Sequence, residues 1–261
     1  MQLDKIIIAL RKRTSWEAMD LGVILMRKLW PVLFFPWLIL MSIVLLFVIT
    51  TELQGHMYFA IIFMWWIKPV YESLILHVLS RGIFGEYVTT ADIYTSLGAW
   101  LKPGVLNSIF ISRFSLSRSF NLSVQQLEGL SGSERKSRLQ ALHRSSNSHS
   151  MVATIIGLLF ELLFVLTLYI VIVYIAPETS TDLVNSIIES PDEQVFWFII
   201  ASVIYALTLF VLEPFYVAAG FMLYLNRRTQ LEGWDIELEF RKIAQRIHSP
   251  HQQMLKEAPD V

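Results

Sequence analysis

Cysteine is absent from the 261-residue chain. That excludes disulfides, thiolate nucleophiles, cysteine-ligated zinc and iron–sulfur clusters. Histidine does not fill the gap. His56, His77, His143, His149, His248 and His251 form no HExxH or Cys/His pattern, and His248 and His251 fall in a polar tail that reads as solvated. No G-x-S-x-G elbow stands in the serine-rich stretches. Gly82, Gly85, Gly129 and Gly132 make no phosphate-binding loop. No cleavable leader is visible: Asp4, Glu17 and Asp20 dilute the bases of the first 29 residues, and no small-residue cleavage site follows the first apolar block. With no nucleophile, no metal set and no exposed acid–base pair, the chain reads as a non-enzyme without cofactor or metal.

Apolar residues are what it has. They make up 54% of the chain, mean hydropathy is +0.53, and they come in long blocks. Residues 29–51 carry no charge and are long enough to span a ~30 Å hydrocarbon layer, with Pro31 and Pro36 read as first-turn residues. A short polar turn at 52–55 leads to a return span at 56–80, then a third at 151–176 and a fourth at 195–225. The fourth, at about 46 Å as a helix, must tilt, kink at Pro214 or protrude. The fold class is therefore all-α, a polytopic membrane protein with four transmembrane helices in two hairpins. Cytoplasmic amphipathic segments flank them at 1–28, 81–150 and 226–261; the hairpins occupy 29–80 and 151–225. Thr14-Ser-Trp-Glu17, Ser131-Gly-Ser-Glu134 and Thr229-Gln-Leu-Glu232 read as capping boxes that start surface helices. Residues 88–101 and 105–111 read as short helices or surface-lying pieces, and 145–148 as a linker.

Basic residues avoid one side. Of 21 Lys and Arg, six lie in 1–29, eight in 81–150, six in 226–261, and Lys68 lies in a span. The loops at 51–55 and 177–194 hold none, but carry Glu52, Glu178, Asp182, Glu189, Asp192 and Glu193. The positive-inside rule puts both termini and the middle segment in the cytoplasm, facing anionic headgroups rather than nucleic acid.

Four ionisable residues interrupt the spans: Lys68, Glu72, Glu161 and Glu213. A mid-membrane charge costs roughly 2.5–3.5 kcal/mol on insertion scales, so these face the protein interior. Counting about 1.5 Å per residue puts Lys68, Glu161 and Glu213 near mid-bilayer. Lys68 is expected to pair with Glu213, with Glu161 nearby; Glu72, one turn from Lys68, competes for it. Lys68-Pro69-Val70-Tyr71 and Glu213-Pro214-Phe215-Tyr216 also align as matching points of a two-fold hairpin repeat. The centre reads either as a place for an ion, proton or small solute, or as a buried ion pair that fixes packing.

RTSWEAMDLG at 13–22, WWIKPVYE at 65–72, SRSFNLSVQQLEGLSG at 117–132 and EPFYVAAGFMLYLNRRTQLEGWDIEL at 213–238 resemble an uncharacterised family of mainly proteobacterial inner-membrane proteins. The EGWDIEL ending is also similar to the membrane domain attached to some glycerophosphoryl diester phosphodiesterases. There a separate barrel does the catalysis, so the resemblance implies a membrane domain without the enzyme. Members of the family tend to be encoded beside membrane proteins with transglutaminase-like domains and a MoxR-type ATPase. This implies an assembly in the bacterial inner membrane. The leading expectation is a non-enzymatic component that assembles with itself or with other membrane proteins. The alternative is a small transporter or channel that uses the Lys/Glu centre. A wet cavity reaching Glu213 and open to one side favours transport; a dry, fully packed pair with a broad apolar face left exposed favours assembly.

Overall fold

A computed structural model of the chain describes residues 11–86, 88–96, 98, 115–130, 132–144, 147–175, 191–233 and 236. The readings made for 1–10, 105–111, 177–190 and 237–261 lie outside these residues. Every regular element among them is a helix. In chain order these are α1 (Ser15–Leu53), α2 (Met57–Trp66), α3 (Lys68–Ile83), α4 (Thr90–Thr95), α5 (Arg118–Glu128), α6 (Gly132–His143), α7 (Asn147–Ile175) and α8 (Pro191–Glu232). Four stretches are long and apolar enough to cross a membrane: α1, α2 with α3 taken together, α7 and α8.

The surface helix and first span expected at the N-terminus are one helix of 39 residues, about 58 Å long. Thr14 starts it, its side-chain oxygen accepting the Glu17 N–H at 3.2 Å. Nothing stops it at Arg27 and Lys28, so Pro31 and Pro36 stand in its interior rather than in a first turn. Gly22 marks its contact with α8: a methyl there would fall 2.6 Å from the Ala218 carbonyl oxygen. The two backbones touch, as small residues allow in membrane helices. The pair runs antiparallel. Arg13 and Asn226 exchange hydrogen bonds at one end, Trp37 meets Phe210 in the middle, and Ser202 bonds Glu52 at the other end.

The two Xaa-Pro sites of the apparent repeat behave differently. Proline offers no N–H to the carbonyl four residues back. At Pro69 the helix breaks: α2 ends at Trp66, Ile67 is the joint, and α3 begins at Lys68 with proline in its first turn. The buried Tyr71 hydroxyl donates to the Met64 carbonyl at 2.8 Å, closing one acceptor opened around the break. At Pro214 the helix runs through, and α8 is 42 residues, about 63 Å. Here Trp37 Nε1 donates to the Phe210 carbonyl at 2.9 Å, the acceptor that Pro214 leaves open.

The capping box read at Thr229 does not form. Thr229 is inside α8, where its hydroxyl donates to the Leu225 carbonyl at 2.9 Å. The helix stops only at Gly233, which takes φ of +66°. A reciprocal box instead caps α4, between Thr89 and Asp92. The second half of the expected linker is helical, since α7 has already begun at Asn147; residues 145 and 146 lie outside the described residues.

α5 is the least expected element. Its polar sequence reads as surface, yet Arg118 to Gln125 are all buried. It wedges between α3, α7 and α8. Gln126 Nε2 donates to the Ser73 carbonyl at 3.0 Å, Ser150 Oγ donates to Ser117 Oγ at 2.8 Å, and Ser119 lies where a side chain on Gly220 would be.

Candidate functional site

The break before α3 and the N-terminus of α5 bring together five charged side chains. Lys68, the first residue of α3, places Nζ 2.7 Å from Glu161 Oε2 on α7 and 3.3 Å from Glu213 Oε2 on α8. Glu72 does not compete for Lys68. It is fully buried and faces Arg118, the first residue of α5, at 2.6 Å from Nε. Arg118 Nη2 also stands 3.6 Å from Glu213 Oε1. Glu213 thus lies between two cations, and each cation reaches a second acid.

Arg118 was not singled out by sequence, because it sits in a serine-rich stretch whose bases read as surface charge. Arithmetic was the available signal. Three acids against one lysine in the spans call for another base, and even with Arg118 the centre keeps one more acid than base. Glu213 Oε1 accepts no hydrogen bond. Glu161 is the accessible member, with a side chain 16% exposed against 4% for Glu213 and 1% for Lys68.

Glu161 and Glu213 also line a half-open cavity of about 310 Å³. Its walls come from the first turns of α1, from α7 and from α8. It runs from Trp16 and Asp20 near the start of α1 to Arg118, Glu161 and Glu213. Thr154 and Tyr216, whose hydroxyls lie 3.1 Å apart, line it on the α7–α8 side.

Another buried acid, outside the centre, stands at the turn that reads from sequence as a polar loop. Glu52 closes α1 with no exposed surface, and Ser202 Oγ donates to its Oε1 at 2.5 Å. The turn that follows is polar, but this acid points back into the bundle.

At the end where α1 begins, an ionic network ties α5, α6 and α8 together. Arg138 Nε donates to Glu128 Oε2 at 2.7 Å, Tyr224 donates to Glu128 Oε1 at 2.7 Å, and Arg138 and Arg228 both bind Glu232. Burial raises the Glu128 pKa, but Arg138, Tyr224 and Arg228 outweigh it and hold the carboxyl below its ordinary value. His143 sits in the same region. Asn121 gives its amide nitrogen to Ser115 Oγ, so its oxygen faces His143 Nε2 at 2.7 Å and accepts from it. Burial holds the imidazole below its ordinary pKa, and Nδ1 has no hydrogen-bond partner.

Among the described residues no cluster of three or more metal-ligating side chains occurs. Comparison with family models, with curated proteins and with solved structures finds no match to this chain.

Proposed function

We propose that this is a four-span bacterial inner-membrane protein, with both termini cytoplasmic, that takes up a positively charged species at the Lys68–Glu72–Arg118–Glu161–Glu213 centre. It is a small transporter or channel rather than an enzyme. The observation that carries this reading is the half-open cavity that reaches Glu213 and Glu161. A purely structural ion pair has no need of an approach from outside. The broken second span supports it, because interrupted helices in transporters point their half-helix ends at mid-membrane ion sites. The surplus acid sets the sign of the guest: a proton or a cation neutralises it. Uneven distribution of Lys and Arg supports the orientation.

Flux in reconstituted vesicles tests the reading. Under an imposed potential, wild-type vesicles should pass protons or sodium faster than protein-free ones, and Glu161→Gln and Glu213→Gln should return the rate to the protein-free level. Wild-type vesicles that are as tight as empty ones to both ions sink it.

The assembly reading keeps one observation of its own. None of the most apolar 18-residue window of α7 is buried, and Leu159, Phe160, Leu163, Ile170 and Tyr174 are all exposed. Purification in mild detergent with mass measurement decides it: a bare monomer argues against it.

A further inference from the structure

The cavity beside the charged centre has a chemistry more selective than that of a passage for a bare ion. Its walls are apolar, formed by Met19 and Val23 of α1, Leu158 and Phe160 of α7, and Leu212 and Phe215 of α8. Its rim is mostly apolar too, for Trp16, Leu158 and Phe160 are exposed there. At about 310 Å³ it is at the lower end of the ~300–1,000 Å³ range of small-molecule pockets. Its inner end carries Arg118, Glu161 and Glu213, and there acids outnumber bases. Glu213 Oε1, on a side chain 4% exposed, accepts none, and the 3.6 Å to Arg118 Nη2 is too long for one. Arg118 is itself engaged with Glu72 at 2.6 Å and stands over the Tyr216 ring, 5.5 Å from its centre. Asp20 adds an exposed carboxylate at the entrance. An anionic head would meet surplus acid along the whole path. A fully hydrated ion would have to shed water against greasy walls. The rings of Phe215, Tyr216 and Phe160 suit a cation attached to something apolar.

We propose that the cavity binds an ammonium group carried on an apolar tail, the head at Glu213 and Glu161 and the tail leaving past Phe160 and Trp16. This rests on the reading of the centre as a site for positive charge and adds the class of molecule. An amine-headed bilayer lipid and a free alkylammonium present the same chemistry.

The full chain in nanodiscs of phosphatidylglycerol separates these ideas. Dodecylammonium, titrated below its micelle concentration, should raise the thermal unfolding midpoint, while dodecyl sulfate and dodecyl maltoside should not. Glu213→Gln should weaken the apparent affinity by about tenfold or more, the loss of one charge-assisted contact. Val23→Trp, which fills the cavity and leaves every charge in place, should abolish the effect in a chain that still folds. An equal response to dodecyl sulfate, or a full response in Val23→Trp, overturns the proposal. In nanodiscs that also contain phosphatidylethanolamine, competition against the probe identifies a lipid as the natural source, and undiminished binding identifies a free amine. Binding without ion flux sinks the transport reading alone, whereas flux without binding sinks only this one.

Discussion

Trp37 shows how one side chain decides the course of a helix elsewhere in the chain. It is fully buried, stacks on Phe210 with ring centres 6.3 Å apart, and meets Tyr71 edge-on at 5.9 Å. Its indole N–H closes the Phe210 carbonyl that Pro214 leaves open, just as Tyr71 closes Met64 around the other proline. A buried carbonyl stripped of its donor costs about 1–3 kcal/mol. Trp37→Phe and Tyr71→Phe should each lower stability by that order in nanodisc unfolding. The first cost has a specific remedy. Pro214→Ala restores an N–H four residues beyond Phe210, so Trp37→Phe should cost much less in that background than in the wild type. A double-mutant cycle measures the difference. Strict additivity would mean that Trp37 matters only for its bulk.

At the scale of elements, the sequence marks the four long helices clearly, because long apolar blocks holding at most two charges each are explained by little else. It places the interruptions less well. Lys68-Pro69 and Glu213-Pro214 look alike as text, but the helix breaks at the first and runs through the second, where Trp37 of α1 takes the carbonyl that the proline leaves open. Thr229-Gln-Leu-Glu232 has the letters of a cap, but the turn before it was already helical and Arg228 pairs with Glu232 along that same helix. The members of the polar centre on long helices were legible as charges in apolar runs. Arg118 was not, since α5 is polar in composition and is buried by the helices around it, α3, α7 and α8, the last meeting it closely at Gly220. This packing carries a pH dependence. His143, at the end of α6, holds α5 through Asn121 and has no acceptor for a second proton at Nδ1. Its folded pKa lies below the ordinary 6.5, so the unfolded chain takes up a proton first. Stability from this group is complete above 6.5 and declines as the pH falls below it. Glu128, also depressed, adds a second decline beginning below the ordinary 4.5. Hydrogen-exchange protection factors in α5 and α6, with the intrinsic pH dependence of exchange divided out, should therefore fall as pH drops through 6.5, and His143→Gln should remove that step while leaving the one below 4.5. If the upper step persists in the variant, another group is responsible for it.

Over the whole molecule, the two ends of the bundle are chemically unlike. Arg13, Arg138, Arg227 and Arg228 gather where α1 begins and α8 finishes; Arg227 Nε donates to the Leu142 carbonyl there, at 3.0 Å. The opposite end holds the turn at Gln54 and Gly55 and the buried Glu52–Ser202 contact, with no base in the loop sequence. A bilayer sorts such a molecule by its basic end, which stays on the side of synthesis. The absence of cysteine makes this directly measurable, because any introduced thiol is the only one. Gln54 and Ser137 are both exposed, one at each end. On the proposed inner-membrane placement, in cells whose outer barrier alone is opened, a membrane-impermeant maleimide should label Gln54→Cys and leave Ser137→Cys unmodified. Disrupting the inner membrane should expose Ser137→Cys as well. The reverse pattern would put the cavity mouth at Trp16 and Asp20 on the outer face, so the centre would draw its cation from outside the cell. With the expected pattern, whatever enters beside Glu161 comes from the cytoplasm or from the inner leaflet.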